Sequence, residues 1–164
     1  MPPEDGYHQL PSAPNQQLYR FCLTAEPMAV RATLGEVVAR FSERLSPRNM
    51  GVLELALAEV LNNIAEHAYD GTRGRIDLTV ELRHGAVICH VIDRGRAMPG
   101  LAPPPARARE VFDVHIDTLP EGGWGWHLIH GLTDDLAYRR AGGKNRLMFR
   151  IDLSPEAKPE RPGQ

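Results

Sequence analysis

The sequence lacks the features that mark several large classes of protein. It has only two cysteines in 164 residues, Cys22 and Cys89, and their spacing matches neither a metal site nor a disulfide framework. Both lie in apolar, strand-like runs, so we expect two small buried residues, as in a reducing cytoplasm. No apolar run approaches the roughly 18 residues of a membrane-spanning helix, and no signal-peptide pattern begins the chain. We therefore expect a cytoplasmic protein.

Neither positive nor negative charge is in large excess. The formal net charge is −2, which gives no bulk electrostatic attraction to nucleic acid or to an anionic membrane. We therefore expect no direct nucleic-acid or membrane partner. The length predicts one domain with a single core. Residues 1–16, with four prolines, and the proline-rich, charged residues 154–164 are expected to be flexible tails around a domain at 17–153.

The first elements of that domain are a strand and an amphipathic helix. Residues 18–23 alternate between two faces, as a strand does. Thr24 stands where an N-cap is expected, with Pro27 in the first turn. Helical spacing of apolar residues then continues through Arg44.

The second helix, predicted at 47–70, begins with Ser46 as its N-cap. It is mostly apolar, which predicts burial, yet Glu59, Asn63 and His67 follow one another at i, i+4 steps. Buried polar groups need partners. Taken alone, the helix is equally consistent with polar residues paired in a core and with a site for a charged ligand.

The remaining elements predict the fold class. Strands are expected at 76–82 and 86–92, a helix at 126–134, and strands at 136–140 and 146–153, with turns at 83–85 and 141–145. The order predicts an α+β fold, a two-layer sandwich of helices on a mainly antiparallel mixed sheet. Between strand and helix, residues 96–121 form a long proline-containing loop, which is typical of a functional lid.

Two short segments flank this loop. Gly122, Gly123 and Gly125 open a helix, where bare N–H groups and the helix dipole suit a phosphate. Asp93 ends a central strand and can accept a hydrogen bond from an exocyclic amine, while Gly95 permits close backbone approach to a base. Each signal alone is weak, and their order and spacing together are stronger.

The second helix supplies the matching chemistry. Asn63 can give Mg²⁺ a neutral oxygen ligand, with phosphates and waters at the other positions. Glu59, one turn earlier, can take a hydroxyl proton as a general base.

These segments resemble a known family. Glu59-Val-Leu-Asn-Asn63-Ile-Ala-Glu-His67-Ala-Tyr69 resembles the N box of the GHKL (gyrase, heat-shock protein, histidine kinase, mismatch repair) ATP-binding fold. Asp93-Arg-Gly95-Arg-Ala-Met-Pro99 resembles its G1 box, and Gly122-Gly-Trp-Gly125-Trp-His-Leu-Ile129 its G2 box. The resemblance covers residues 18–153 and is strongest to bacterial anti-sigma-factor serine/threonine kinases.

The resemblance implies roles for the matching residues. ATP would be bound with Asn63 on Mg²⁺, Glu59 as the catalytic base, Asp93 on the adenine amine, Gly95 beneath the base and residues 96–121 as the lid. The phosphate segment would be Gly122, Gly123, Trp124 and Gly125. The chain departs from the family at Ala97, which replaces a frequent second glycine, and in the bulky Trp124 and Trp126.

The resemblance also implies partners. Such kinases phosphorylate a STAS-type anti-anti-sigma protein and alternatively sequester a sigma factor, and a homodimer is possible. A nucleotide-binding module that sequesters a partner without kinase activity is the alternative. The ATP-binding part of a histidine kinase is disfavoured, because no upstream helix carries a phospho-acceptor histidine.

Other polar residues are given structural interpretations. His67 and Tyr69 are expected to be structural, and the spacing of His115, His127 and His130 is poor for a metal. We interpret Arg139, Arg140, Lys144 and Arg146 as a solvated face, with Lys144 or Arg146 on phosphate as the lesser alternative. Asp134 and Asp135 are expected in a solvated loop.

Overall fold

The computed structural model describes residues 16–105 and 124–153 of the chain. The strands are β1 (Gln16–Thr24), β2 (Arg75–Arg83), β3 (Ala86–Asp93), β4 (Asp135–Ala141) and β5 (Lys144–Asp152). The α-helices are α1 (Pro27–Phe41), α2 (Pro47–Asn63) and α3 (Trp124–Leu132). The helices cover one face of the sheet, which confirms the α+β two-layer prediction. Gln16, assigned to the tail from the sequence, is already the first residue of β1.

The sheet has the strand order β1-β2-β3-β5-β4, and each of its four described pairings is antiparallel rather than mixed. Two hairpins close through two-residue turns at His84–Gly85 and Gly142–Gly143. All four of these residues have positive φ, at 40°, 81°, 58° and 71°, as a type I′ turn requires. The second turn is shorter than predicted, because Lys144 and Asn145 belong to β5.

The core lies between the helices and the inner face of the sheet. Leu57 and Leu61 of α2 pack in it together with Leu78 and Phe149 of the sheet. Cys89 is buried here as predicted, and burial raises the pKa of its thiol. The prediction for Cys22 was wrong, since Cys22 is exposed. Strand alternation turns it away from the face that carries its buried neighbours.

The bounds of α1 differ from the sequence prediction at both ends. Thr24 is not the N-cap, because it is still paired with β2 as the last residue of β1. Glu26 takes the N-cap position, and Pro27 follows at the first helical position. The helix ends at Phe41, whose carbonyl accepts from Arg44 N at 2.9 Å in a four-residue turn. Within the described part of the chain, no helix has the length and apolar content needed to cross a membrane.

α2 begins as predicted and ends differently. Ser46 is its N-cap and accepts from Asn49 N at 3.2 Å. The α-helix stops at Asn63, and Ile64–Ala68 continue as a π-helix. Tyr69 N bonds to the Ile64 carbonyl, five residues back, at 3.1 Å. The helix predicted at 47–70 is therefore present but ends at Ala68, and its last turn is π-helical, which the sequence analysis did not predict.

Tyr69 anchors this end of the helix. Its ring is buried, and its hydroxyl donates to the Arg75 carbonyl at 2.7 Å and accepts from Arg94 N at 2.9 Å. Gly74 leaves room for the ring, since a Cβ there would lie 1.8 Å from a ring atom. Tyr69 thus ties the π-helix to the start of β2 and to the residue after β3, in keeping with the structural role predicted for it.

We expect Tyr69→Phe to lower the free energy of unfolding by about 1 to 3 kcal/mol, because it leaves two backbone groups without their partner. Urea unfolding followed by circular dichroism measures the change. Tyr19→Phe is the matched control: the Tyr19 ring packs edge-on against Phe41, and its hydroxyl makes no hydrogen bond with the described residues. Equal, small changes in both variants would contradict the anchoring role.

Candidate functional site

A cavity of about 390 Å³ lies between the end of α2, the segment that follows β3, and the β4–β5 hairpin. Its lining consists of Val60, Asn63, Ile64, His67, Ala68, Asp93, Arg96, Ala97, Met98, Pro99, Pro104, Trp126, Tyr138, Asn145 and Leu147. The volume is in the range of small-molecule sites, and so is the lining, with apolar walls and a few converging polar groups.

The structure brings most of the predicted site residues together. Asn63, Asp93 and Ala97 line the cavity. Glu59, Gly95 and Gly125 lie beside it rather than on its wall. Gly122 and Gly123 are outside the described residues. The sequence analysis had placed Gly125 before the helix. Trp124 begins α3, so Gly125 instead lies in the first turn of the helix.

Asp93 is the buried charged group of the site, with 4% of its surface exposed. Its Oδ1 accepts from Gly95 N at 2.8 Å and from Asn145 Nδ2 at 2.7 Å. Burial raises the pKa of Asp93, while these two hydrogen bonds and the charge of Arg140 act in the opposite direction. Because both bonds use Oδ1, the second carboxylate oxygen remains available as an acceptor for a ligand.

Gly95 is required by a close approach of two backbone segments. A Cβ at this position would lie 2.6 Å from the carbonyl oxygen of Ala68, at the end of the π-helix. The same carbonyl accepts from Arg96 N at 2.8 Å, and the Arg96 guanidinium pairs with Asp70. The structure thus gives Gly95 a packing role, and its position beneath a base stays a prediction.

Glu59, Asn63 and Gly125 form a cluster beside the cavity. A Cβ on Gly125 would lie 2.6 Å from Glu59 Oε2 and 3.5 Å from Asn63 Nδ2. Asn63 Nδ2 is buried and has no hydrogen-bond partner among the described residues. An unpartnered buried amide is costly, so its retention here points to a ligand.

The cluster fits the metal ion that the resemblance implies. Rotating the Asn63 amide by 180° places its oxygen where its nitrogen stands, and a neutral amide oxygen is a normal Mg²⁺ ligand. Gly125 has no side chain to fill the space beside it.

Asn145 was missed by sequence reasoning, which had placed it in a turn. It is 3% exposed, and its Nδ2 donates to Asp93 Oδ1 at 2.7 Å and to the Arg96 carbonyl at 2.8 Å. A longer contact of 3.4 Å joins it to the Gly95 carbonyl. The inward alternation of Leu147, extended back by two residues, would have placed Asn145 on the buried face.

Tyr138 and Arg140 of β4 complete this network. The Tyr138 hydroxyl donates to Asn145 Oδ1 at 2.7 Å and accepts from Met98 N at 3.0 Å. Arg140 donates to the same Asn145 oxygen at 2.5 Å and to the Gly95 carbonyl at 3.0 Å. Arg140 is exposed, but the prediction that it merely forms a solvated face was wrong.

The histidines and the basic residues considered in the sequence analysis differ in whether they lie at the cavity. His67 is exposed and lines the cavity, which the structural interpretation had not anticipated. His130 bonds to the Pro104 carbonyl at 2.7 Å, and His115 is outside the described residues. Among residues 16–105 and 124–153, no three His, Cys, Asp or Glu side chains come together as a metal site. Lys144 and Arg146 are not part of the cavity lining.

The two aspartates after α3 have structural contacts. Asp134 Oδ2 accepts from Asp152 N at 2.6 Å, and Asp135, the first residue of β4, pairs with Arg150 at 3.6 Å. The prediction that both lie in a solvated loop was therefore wrong for Asp135, because the strand begins earlier than its apolar pattern indicates.

Known proteins resemble this chain in sequence. The profile of a family described as the histidine kinase-like ATPase domain matches residues 23–151. A protein of Bordetella bronchiseptica named serine/threonine-protein kinase BtrW is 33% identical over 119 residues. That match covers 70% of this chain and 79% of the relative.

The fold is also similar to a solved structure. The crystal structure of the RsbU and RsbW domains of Rv1364c from Mycobacterium tuberculosis matches with a TM-score of 0.61 and 20% sequence identity. The match covers 87% of this chain, which spans only 34% of the length of the other. At this identity the likeness shows the fold alone.

We expect Asp93→Asn to be at least as stable as the wild type at pH 7.5. Because the folded state raises the pKa of Asp93, the folded chain binds that proton at a higher pH than the unfolded chain. The wild type therefore gains stability from Asp93 as the pH falls through the window between the ordinary and the raised pKa. The uncharged variant lacks this gain. The free energy of unfolding of Asp93→Asn should therefore exceed that of the wild type by less at low pH than at pH 7.5.

Urea unfolding of both proteins without ligand, at pH 7.5 and pH 5, checks this sign. The opposite result would be a variant that is less stable than the wild type at pH 7.5 and whose free energy of unfolding falls less than that of the wild type between pH 7.5 and pH 5. That result would show that the buried carboxylate is a net stabilising group.

Proposed function

The chain belongs to the histidine kinase-like ATPase domain family, and from that premise we propose that it is an ATP-dependent serine/threonine kinase and anti-sigma factor. It phosphorylates a STAS-type anti-anti-sigma protein and alternatively sequesters a sigma factor. An ATPase domain implies ATP binding, and the relative from Bordetella bronchiseptica supports a serine/threonine kinase by its name. The observation that carries the proposal is the cluster of Glu59, Asn63 and Gly125 beside the cavity that contains Asp93.

In this proposal the adenine enters the cavity. Asp93 accepts from the exocyclic amine through Oδ2, because Oδ1 is already held by Gly95 N and Asn145. Val60, Ile64 and Leu147 supply apolar surface for the base. Ala97 lines the same cavity and is exposed, so a methyl group here narrows the site without closing it.

The phosphates lie toward α3. The first turn of this helix offers unpaired N–H groups and the positive end of the helix dipole. Gly125 allows the phosphates to approach Asn63, and Gly122 and Gly123 extend the same segment. Asn63 holds Mg²⁺ through its amide oxygen. When bound, Mg²⁺ neutralises charge on the phosphates.

Glu59 acts on the partner protein. Its carboxylate takes the proton from a serine or threonine hydroxyl, and that oxygen then attacks the terminal phosphorus as the bond to the leaving diphosphate breaks. Glu59 is half-buried between α2 and α3, one helical turn before Asn63. In this proposal the proton acceptor is therefore next to the metal-binding amide of Asn63, and the adenine is bound elsewhere in the cavity, at Asp93.

One observation favours the alternative function. Glu59 Oε2 lies against Gly125 and not on the cavity wall, so in this arrangement it faces a helix end. A nucleotide-binding module that sequesters a partner without phosphotransfer would need Asn63 and Asp93 but not Glu59.

We expect Asn63→Ala to abolish Mg-ATP binding and Glu59→Gln to keep it. Glu59→Gln should lose phosphotransfer by about 10²- to 10⁴-fold, the usual contribution of a general base. Isothermal calorimetry and a phosphotransfer assay measure the two effects. Asn62→Ala is the matched control, since Asn62 is exposed on the same helix. Unchanged Mg-ATP affinity in both site variants would refute the site assignment.

The proposed activity is tested with labelled ATP and candidate STAS-type proteins from the same organism. Label on a serine or threonine of one candidate, lost with Glu59→Gln, is the expected result. Tight ATP binding without transfer to any candidate, combined with capture of a sigma factor, would establish the non-catalytic alternative instead.

A further inference from the structure

Asn145 connects two parts of the chain that are far apart in sequence. It lies at the start of β5, yet its Nδ2 bonds to the Asp93 side chain and to the Arg96 carbonyl, some 50 residues earlier. We propose that Asn145 is a positioning residue for purine recognition, which orients the Asp93 carboxylate and so sets the preference for a purine with an exocyclic amine. This deepens the proposed function and rests on it, since Asp93 is taken to contact the base.

The orientation of the Asn145 amide is fixed by its neighbours. Arg140 and the Tyr138 hydroxyl both direct donors at Oδ1, at 2.5 Å and 2.7 Å. An arginine side chain has only donors, so the atom that faces it must be the amide oxygen. The amide nitrogen is then forced to face Asp93 and the Arg96 carbonyl. Neither aspartate nor a hydrophobic residue can supply both an acceptor on one side and donors on the other.

This orientation determines how Asp93 is presented. With Asn145 and Gly95 N both on Oδ1, the carboxylate cannot rotate freely, and Oδ2 is left for the cavity. A donor to an ionised carboxylate also favours the charged form and opposes the effect of burial. Without Asn145, Asp93 keeps one donor of the two, and its carboxylate loses both its fixed rotation and part of its support as an acceptor.

The β4–β5 hairpin, to which Asn145 belongs, also holds the part of the cavity wall formed by the segment after Asp93. Asn145 holds the Arg96 carbonyl, Arg140 holds the Gly95 carbonyl and Tyr138 holds Met98 N. Arg96 and Met98 both line the cavity. The carboxylate and the segment that follows it are therefore held by one network, in which Asn145 is the shared member.

The test compares two ligands by calorimetry in the presence of Mg²⁺: ATP, and the purine riboside triphosphate that lacks the exocyclic amine. Their affinity ratio is the amine preference. A hydrogen bond to a charged acceptor predicts a wild-type ratio of about 10 to 100. We expect Asn145→Ala to bring the ratio close to one, mainly by weakening ATP binding, while affinity for the analogue changes less.

Further variants separate positioning from folding. Asn145→Asp keeps the shape but replaces donors by an acceptor beside Asp93, so it should lose the preference as fully as Asn145→Ala. Tyr138→Phe removes one bond to the amide and should give an intermediate ratio. Asn62→Ala should leave the ratio unchanged. If Asn145→Ala does not fold, the ratios of Asn145→Asp and Tyr138→Phe decide.

The outcomes distinguish this proposal from the one on which it rests. A wild type that binds both ligands equally overturns the role of Asp93, and this inference with it. A wild-type preference that persists in the Asn145 variants overturns only the inference. Equal weakening of both ligands, with the ratio kept, shows a purely structural role and also overturns it.

Discussion

The contact between Gly95 and Ala68 is the constraint on which the site depends. Two backbone segments meet there closely enough that a single added carbon would lie 2.6 Å from a carbonyl oxygen. One segment is the end of the long helix that carries Asn63, and the other directly follows Asp93. Because the segments touch, an amide from a helix and a carboxylate from a strand line the same cavity. Tyr69 secures the junction by bonding to the backbone on either side of it.

The π-helical turn belongs to the same junction. A regular α-helix continued past Asn63 would present its residues with a tighter rotation, and the Ala68 carbonyl would point elsewhere. In the wider turn this carbonyl accepts from Arg96 N, at 2.8 Å. Helix end, strand end and loop are thus joined by a backbone hydrogen bond, in addition to the Tyr69 side chain and the close approach that Gly95 permits.

Much of this could be predicted from the sequence, and what could not has a physical reason. Apolar periodicity predicted the order of strands and helices, and the motif residues predicted Asn63 and Asp93 as neighbours in a site. The π-helical turn was not predicted, because the sequence of Ile64–Ala68 has no pattern that distinguishes a π-helix from an α-helix. Cys22 was misplaced because its apolar neighbours Phe21 and Leu23 were weighed more heavily than the strand alternation, which puts Cys22 on the same exposed face as Arg20. Asn145 escaped because its partners are some 50 residues away, and a turn rich in glycine concealed its place in β5.

The β4–β5 hairpin at the edge of the sheet has a practical consequence for reading incomplete sequences. Every motif residue lies within or before α3, whereas one of the two donors to Asp93, together with the side chains that bond to the segment after it, comes from residues 138–145. A gene fragment that stops after α3 would contain all three motifs and still lack the side-chain hydrogen bonds by which the hairpin helps to orient one of them. Motif content and an intact binding site are therefore separate properties, and surveys of such genes should require the hairpin as well as the motifs.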